Sequence, residues 1–379
     1  MKVGIDCRKI YDTHLNVGAG VERYVYHLVK NLLAADSSNE YVLFFYGNIS
    51  PETIHKIRGH NSKVKIVKMI RTGSKIPLWD SHIKFSHLMG KHELNLAIFP
   101  ANVMPLFYRG KSILVIHDLV IYLHPKWFPE RQWFSTKILV PRSIRRARTI
   151  VTVSQSTKDD LLKLFRVPEE KVKVIYPGIV VKDTYLNEEL EKIRRKFDIV
   201  GKYILFIGTI EPRKNILKLI GAFSNYLFEN EESQVSLVLA GIKGWKFKPF
   251  FQQINEINKR LLGSRIKYVG KVSNRERNIL LKSCSAFVFP SYYEGFGFPV
   301  LEAMALGAPV ITSNTSSLGE IAGAGAYLIN PDSQNDIRRA IKLVLEDKVL
   351  RQALITRGKE RASRFTWEAT IKEFQNLIK

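Results

Sequence analysis

Residues 285–312 read SAFVFPSYYEGFGFPVLEAMALGAPVIT. The apolar run Ala286-Phe287-Val288-Phe289 predicts a buried strand. A turn with two glycines, Gly295 and Gly297, follows among aromatic residues. Pro299 suits the first turn of a helix, where its missing N–H costs nothing. That helix is expected to end at Gly307, and Pro309-Val310-Ile311 to begin the next strand. Glu294 falls in the loop and Glu302 in the first helical turn. Glycines let a ligand approach the backbone, and a helix start offers unpaired N–H groups and a positive dipole end. Carboxylates facing such a pocket accept hydrogen bonds from sugar hydroxyls. The stretch therefore predicts a strand–loop–helix unit that holds a phosphate and a polyhydroxyl ligand. The bland alternative is the same unit with two solvated glutamates.

Working outward, short apolar runs alternate with helical stretches along the whole chain, the pattern of βα units and parallel sheets. Towards the N-terminus, strands are expected at 3–5, 41–46, 63–67, 95–99, 112–116, 149–153 and 171–175. A first helix starting near Gly20 sets Val21, Tyr24, Val25, Leu28 and Leu32 on one face, and residues 78–92 read as helical. Ser154-Gln155-Ser156-Thr157 is expected to cap a helix over 157–165, after the sixth strand. After a charged helical connector at 179–200 the pattern restarts. Strands are expected at 203–207, 236–240, 266–269 and 327–329, and Ser273-Asn274-Arg275-Glu276 is a capping box. Helices over 333–346, 348–363 and 367–378 close the chain.

Two further places carry chemistry. Arg213 and Lys214 lie between a strand end and a helix start, within Glu211-Pro212-Arg213-Lys214-Asn215. A guanidinium fork and an ammonium point charge beside a helix N-terminus make a diphosphate site, and Asn215 is expected to be the N-cap. His117 and Asp118 are delivered at the C-terminal end of a strand, the edge at which open α/β sheets bind ligands. Gly18-Ala19-Gly20 resembles the start of a dinucleotide fingerprint, but Arg23 occupies the third glycine position. Neither a Walker A sequence nor Asp-x-Asp occurs.

The formal net charge of +24, from 59 Lys+Arg against 35 Asp+Glu, is spread over both halves. It favours anionic partners: nucleic acid, an acidic membrane surface or phosphorylated substrates. Residues 127–148, WFPERQWFSTKILVPRSIRRAR, mix Phe128, Trp133, Phe134, Ile138, Leu139 and Ile144 with Lys137, Arg142, Arg145, Arg146 and Arg148. A core-packing helix with a basic outer face is the commoner explanation, and an anionic membrane surface is the alternative partner. Cys7 and Cys284 form no disulfide framework, which points to a reducing compartment. No signal-peptide pattern and no spanning apolar run appear, so a soluble or peripheral protein is expected, cytoplasmic, with the inner membrane face as the alternative location.

Taken together, EGFGFPVLEAMALGAPVI (294–311), GTIEPRKN (208–215), VIHDL (115–119), GVERYVYHL (20–28) and VTVSQSTKDDL (151–161) resemble glycosyltransferase family 4, the retaining transferases of the GT-B fold. The resemblance spreads over nearly the whole chain. It implies an α/β fold of two Rossmann-like domains whose parallel sheets face each other across a cleft. The N-terminal, acceptor-binding domain would be 1–180, with a C-terminal helix at about 366–379 packing back on it. The nucleotide-sugar domain would be 181–365. By motif, Glu302 would hold the ribose hydroxyls and Glu294 would lie near the donor sugar and the reacting carbon. Backbone N–H groups along Gly295, Phe296, Gly297 and Phe298 would contact phosphates or sugar. Arg213 and Lys214 would neutralise the departing diphosphate, Gly20 would approach it from the other domain, and His117 would touch the donor sugar.

The resemblance also implies no cofactor and no metal, since the nucleotide-sugar donor is a substrate and two cations take a metal's place. The form of EPRKN and EGFGFP is most similar to the mannosyltransferase branch of cell-surface polysaccharide assembly. The expected donor is GDP-mannose, with another GDP- or UDP-linked sugar as the alternative. The expected acceptor is a lipid-linked sugar or an oligosaccharide. A reading from another class, a basic nucleic-acid-binding protein, rests on net charge alone.

Overall fold

The computed structural model describes residues 1–10, 20–47, 49–70, 72, 78–129, 134–181, 187–261 and 263–379. Gly18, Ala19 and Trp133 lie outside the described residues. The chain divides into two compact units. Unit 1 comprises Met1–Leu123, Glu130–Gly178 and Phe365–Lys379, and unit 2 comprises His124–Pro129 and Ile179–Arg364.

In unit 1 seven strands form one parallel sheet: β1 (Lys2–Asp6), β2 (Glu40–Tyr46), β3 (Val64–Met69), β4 (Leu96–Phe99), β5 (Ser112–Ile116), β6 (Thr149–Thr152) and β7 (Val172–Val174). Their spatial order is β3-β2-β1-β4-β5-β6-β7, so the winding reverses between β1 and β4. In unit 2 six strands do the same: β8 (Tyr203–Ile207), β9 (Ser236–Ala240), β10 (Ile266–Gly270), β11 (Ala286–Phe289), β12 (Val310–Ser313) and β13 (Ala326–Ile329). Their order is β10-β9-β8-β11-β12-β13, with the reversal between β8 and β11. Loops at the carboxyl ends of the strands beside such a reversal diverge and leave a crevice, the usual ligand site of doubly wound sheets.

The strands read as unbroken apolar runs because helices cover both faces of a parallel sheet. β5 and β11 are buried at every residue. Phe287, Phe289 and Phe206 are fully buried, with Phe206 and Phe289 stacked at 5.7 Å. Burying each such ring contributes roughly 1.5–3 kcal/mol. The unit 1 core gathers Phe44, Phe85, Phe99, Ile116 and Leu161.

The last helix, Trp367–Ile378, belongs to unit 1. Trp367 lies 5.8 Å from the Tyr24 ring and stacks on His27 at 5.6 Å. Thr370 Oγ1 donates to the Tyr176 carbonyl at 2.7 Å, and Gln375 Nε2 donates to the Ala35 carbonyl at 3.1 Å. A Cβ on Gly178 would stand 2.2 Å from the Trp367 nitrogen, so only glycine admits this contact.

Several elements differ from the sequence reading. Residues 127–148 are not one helix. Pro125–Trp127 is a short 3₁₀ turn, and 134–146 is a separate helical stretch. Leu139 is buried there, and Val140, Ile144 and Ala147 join the unit 1 core, leaving Lys137, Arg142, Arg145 and Arg148 outside. The apolar face of this stretch is therefore spent on packing. Asn215 sits at the start of the helix Ile216–Glu229, but its side chain does not cap it. It adopts left-handed φ 57° and donates from Nδ2 to the Pro331 carbonyl at 2.7 Å. Ser154 and Ser273 do cap their helices, the latter in a full capping box with Glu276.

Candidate active site

The charged centre of unit 2 lies at the β8/β11 reversal, built from the loops that follow those two strands. The loop after β8 is held by close approach to the loop after β9. Gly208 N–H donates to the Ala240 carbonyl at 3.0 Å. A Cβ on Gly241, whose φ is +145°, would lie 1.8 Å from the Gly208 oxygen. The chain then turns through Pro212–Lys214 as a 3₁₀ turn that presents Arg213 and Lys214. The loop after β11 carries Tyr292, Tyr293 and Glu294. Tyr292 N–H donates to the Arg213 carbonyl at 3.0 Å, tying the two loops together.

Glu294 is the hub. Arg213 Nη1 donates to its Oε2 at 2.7 Å, and Lys214 Nζ to its Oε1 at 2.5 Å. Arg213 also donates from Nη1 to the Tyr293 carbonyl at 2.8 Å, and from Nη2 to Glu211 Oε1 at 2.7 Å. The Lys214 ammonium stands 4.9 Å from the centre of the Phe289 ring on β11. All four side chains are largely withdrawn from water. Two carboxylates and two cations make the cluster formally neutral, which is how buried charge is tolerated.

Burial alone raises the Glu294 carboxyl, but Arg213 and then Lys214 outweigh it and hold the group down at about 2. Burial lowers the Lys214 ammonium, and the neighbouring guanidinium lowers it further; Glu294 opposes both without overcoming them. The centre therefore holds a carboxylate firmly ionised beside an ammonium whose proton is loosened.

The rest of the quoted stretch is a clamp around this hub. Gly295, Phe296 and Gly297 are buried, and Phe296 meets Phe298 edge to face at 4.9 Å. Gly297 adopts φ +119°, a conformation glycine allows, and starts the helix Phe298–Ala305. Ser317 Oγ donates to the Glu294 and Phe296 carbonyls at 2.8 and 2.7 Å, and Glu294 N–H donates to Ser316 Oγ at 3.0 Å. Glu302 is buried in that helix, 3.5 Å from Arg277 Nη1.

In unit 1, His117 follows β5 and is buried. Its Nε2 lies 2.7 Å from the Pro100 carbonyl, an obligate acceptor. Nε2 must therefore carry the proton, which leaves Nδ1 with a lone pair. Burial depresses the imidazole to about 4 in spite of that bond. Asn102, at left-handed φ 60°, accepts the His117 N–H on Oδ1 at 2.7 Å, and Tyr24 packs edge-on at 4.7 Å. Gly20 is exposed at the first position of the helix Gly20–Ala35.

Arg213, Lys214, Glu294 and the Gly295–Phe298 backbone thus lie together in unit 2, with Glu302 behind them on the following helix. His117 and Gly20 belong to unit 1. Glu211, Arg277, Ser316 and Ser317 escaped the sequence reading. Only Glu211, two residues before Arg213, had a local signal. Among the described residues, no group of three or more His, Cys, Asp or Glu side chains is arranged to hold a metal. None of the described helices is long and apolar enough to cross a membrane.

Comparison with known proteins bears on the whole chain. Residues 18–183 match the family described as Glycosyltransferase Family 4, and residues 189–361 match Glycosyl transferases group 1. The O-antigen chain mannosyltransferase B of Escherichia coli is 29% identical over 276 residues, 71% of this chain and 70% of its own. The serotype-specific mannosyltransferase WbdA of the same organism is 27% identical over 355 residues; the match spans 89% of this chain but only 42% of WbdA. Among solved structures, Anabaena HepE, crystallised with UDP and glucose, superposes with a TM-score of 0.75 at 17% identity, covering 100% of this chain and 99% of HepE. Two matched segments that together take in both sheets, on a fold shared with GT-B enzymes, make the chain a member of glycosyltransferase family 4.

Proposed function

We propose that the protein is a retaining mannosyltransferase that moves mannose from GDP-mannose to a lipid-linked or oligosaccharide acceptor in cell-surface glycan synthesis. The observation that carries this reading is the buried Arg213–Lys214–Glu294 cluster at the sheet reversal of unit 2. When the bond between the sugar carbon and the phosphate oxygen breaks, negative charge grows on the departing diphosphate. Arg213 and Lys214 stabilise it from fixed positions in a poorly hydrated site, where such charges act most strongly. Glu294 holds both cations in place before the donor arrives. A carboxylate has about four lone-pair sites, so the two it lends to the cations leave others for a sugar hydroxyl. Gly295, Phe296, Gly297 and Phe298 supply backbone contacts to the donor, and Glu302 takes the ribose hydroxyls.

The acceptor hydroxyl attacks on the face the diphosphate leaves and gives its proton to a departing phosphate oxygen. The charge that a metal would neutralise is met by the two side chains, so the reaction runs without a metal or other cofactor. His117 serves the donor sugar as a hydrogen-bond acceptor through Nδ1, and Gly20 approaches the diphosphate. The choice of mannose is supported by the O-antigen mannosyltransferases to which the chain is similar.

The acceptor is met at an anionic membrane surface on the cytoplasmic side. Supporting this is the outer face of residues 134–148, where Lys137, Arg142, Arg145 and Arg148 are exposed. Burial lowers the Arg146 guanidinium most, and the like charges of Arg142 and Arg109 beside it lower it further.

The test is release of nucleotide from a panel of GDP-, UDP- and ADP-sugars, with thermal-shift measurements against the free diphosphates and single-stranded DNA. GDP-mannose should turn over fastest, and GDP should stabilise the protein most. Faster turnover of a UDP-sugar would replace the donor. Stabilisation by DNA and by no nucleoside diphosphate would sink the reading altogether.

A further inference from the structure

Residues 124–129, HPKWFP, are enclosed in sequence by unit 1 yet belong to unit 2. The segment is held there by its backbone and its rings. Trp245 Nε1 donates to the Trp127 carbonyl, and Lys246 Nζ donates to the Lys126 carbonyl at 2.9 Å. Phe128 lies 5.7 Å from the Trp245 ring. His124 stacks on Trp127 at 4.0 Å, and Trp127 stacks on Tyr292 at 5.6 Å with an interplanar angle of 24°. His124 also reaches Tyr293 at 6.4 Å.

What the strap touches are the rings of Tyr292 and Tyr293, the two residues whose backbone fixes the charged centre. Tyr292 N–H holds the Arg213 carbonyl, and the Tyr293 carbonyl receives Arg213 Nη1. The next residue is Glu294. We infer that this strap is a working part of the unit 2 centre, with Trp127 a positioning residue that acts through Tyr292 and Tyr293 on Arg213 and Glu294. The inference rests on the reading that Arg213 and Glu294 serve sugar transfer.

The physical argument is one of tolerance. Tyr292 is half-buried, and the indole of Trp127 is the ring stacked face to face on it. Without the indole, the Tyr292-Tyr293 backbone keeps its bonds to Arg213, the Thr315 Oγ1 bond to the Tyr292 carbonyl and the Lys218 ammonium over the Tyr292 ring, but loses the stacked face that adds to them in limiting its movement. A guanidinium placed about 1 Å from its working position costs up to roughly 10²-fold in rate. Donor binding through Glu302 and the Gly297 backbone does not pass through the strap, and the Arg213 charge counts most as the diphosphate departs, so turnover suffers more than ground-state affinity.

The experiment compares full-length Trp127→Ala, Trp127→Tyr and Trp245→Phe with wild type and with Arg213→Ala. It follows nucleotide release from the best donor together with thermal melting. Trp127→Ala should lower kcat roughly 10- to 100-fold while KM for the donor changes by a much smaller factor. Trp127→Tyr, which restores a stacking ring, should recover most of the loss. Wild-type kcat in Trp127→Ala beside an inactive Arg213→Ala overturns the inference and leaves the proposed function standing. Full activity in Arg213→Ala overturns the proposed function instead. If Trp127→Ala does not fold, Trp245→Phe decides, since it removes the donor to the Trp127 carbonyl and keeps an aromatic ring beside Phe128. A lowered kcat there supports the strap's role, and an unchanged kcat rejects it.

Discussion

Lys214 Nζ lies 2.5 Å from Glu294 Oε1, while Arg213 Nη1 takes the other oxygen of the same carboxylate at 2.7 Å. The two cations are thus locked by one buried acid rather than displayed on a solvated loop. Lys214→Ala removes charge from the transition state, so turnover should fall about 10²- to 10³-fold. It also leaves Glu294 buried with one partner, at a cost of roughly 3 kcal/mol or less. Steady-state kinetics and denaturant melts of the same variant check both parts. Near-normal turnover would contradict the role given to Lys214.

The Glu294 carboxyl titrates at about 2 in the folded protein, below the ordinary glutamate range. A depressed carboxylate stabilises the fold fully above its unfolded pKa and loses that contribution as pH falls towards the folded value. The shift corresponds to about 3 kcal/mol. Glu294→Gln should therefore be less stable than wild type at neutral pH, and the gap should narrow as pH drops from about 4 to about 2. Urea melts across that range read the effect directly. A gap independent of pH would show that Glu294 is not the ionised hub.

His117 titrates in a different window. Its folded value of about 4 lies below the free imidazole's, because burial disfavours the charged ring. Its contribution to stability is complete above about pH 6.5 and is lost as pH falls through about 4. Nitrogen-15 NMR of the imidazole near neutral pH should find one neutral tautomer, protonated on Nε2. A neutral ring protonated on Nδ1 would overturn the acceptor role of that nitrogen, and a protonation midpoint near the free value would overturn the effect assigned to burial.

Membrane attachment, if it uses the basic face of residues 134–148, has few apolar side chains left to insert, since Leu139, Val140, Ile144 and Ala147 are buried. Binding should be electrostatic, about 1 kcal/mol for each basic residue near the surface. Arg142→Glu/Arg145→Glu should abolish sedimentation with anionic vesicles at low salt, and added salt should release the wild-type protein. Equal binding to neutral vesicles would exclude this surface as the contact.

Much of this is legible in the amino-acid sequence alone. Strands such as Ala286–Phe289 announce themselves because a doubly covered parallel sheet demands unbroken apolar runs. Arg213, Lys214 and Glu294 could each be picked out from glycines, prolines and helix starts around them. Their mutual contact could not, because it joins residues about eighty positions apart and depends on which strands flank the reversal. Asn215 misled because its side chain is drawn to the distant Pro331 carbonyl rather than to its own helix. The 127–148 segment misled for a related reason. Its amphipathic composition is real, but the chain passes from unit 2 back to unit 1 within it, and no periodicity records that transfer.

The C-terminal helix carries a lesson for anyone recombining such enzymes. Trp367 closes over Tyr24, and Gly178 has room for no side chain beside it. A chimera joined once, near residue 180, would pair one parent's first half with the other parent's Trp367–Ile378 helix. The seam would then run through a buried aromatic contact. A second junction near residue 365 keeps that contact within one parent. Residues 124–129 call for the opposite treatment, since their partners Tyr292 and Trp245 come from the other half of the chain. Inheritance in this molecule follows packing rather than sequence order, and a faithful exchange of donor specificity has to move pieces of the chain that are not contiguous.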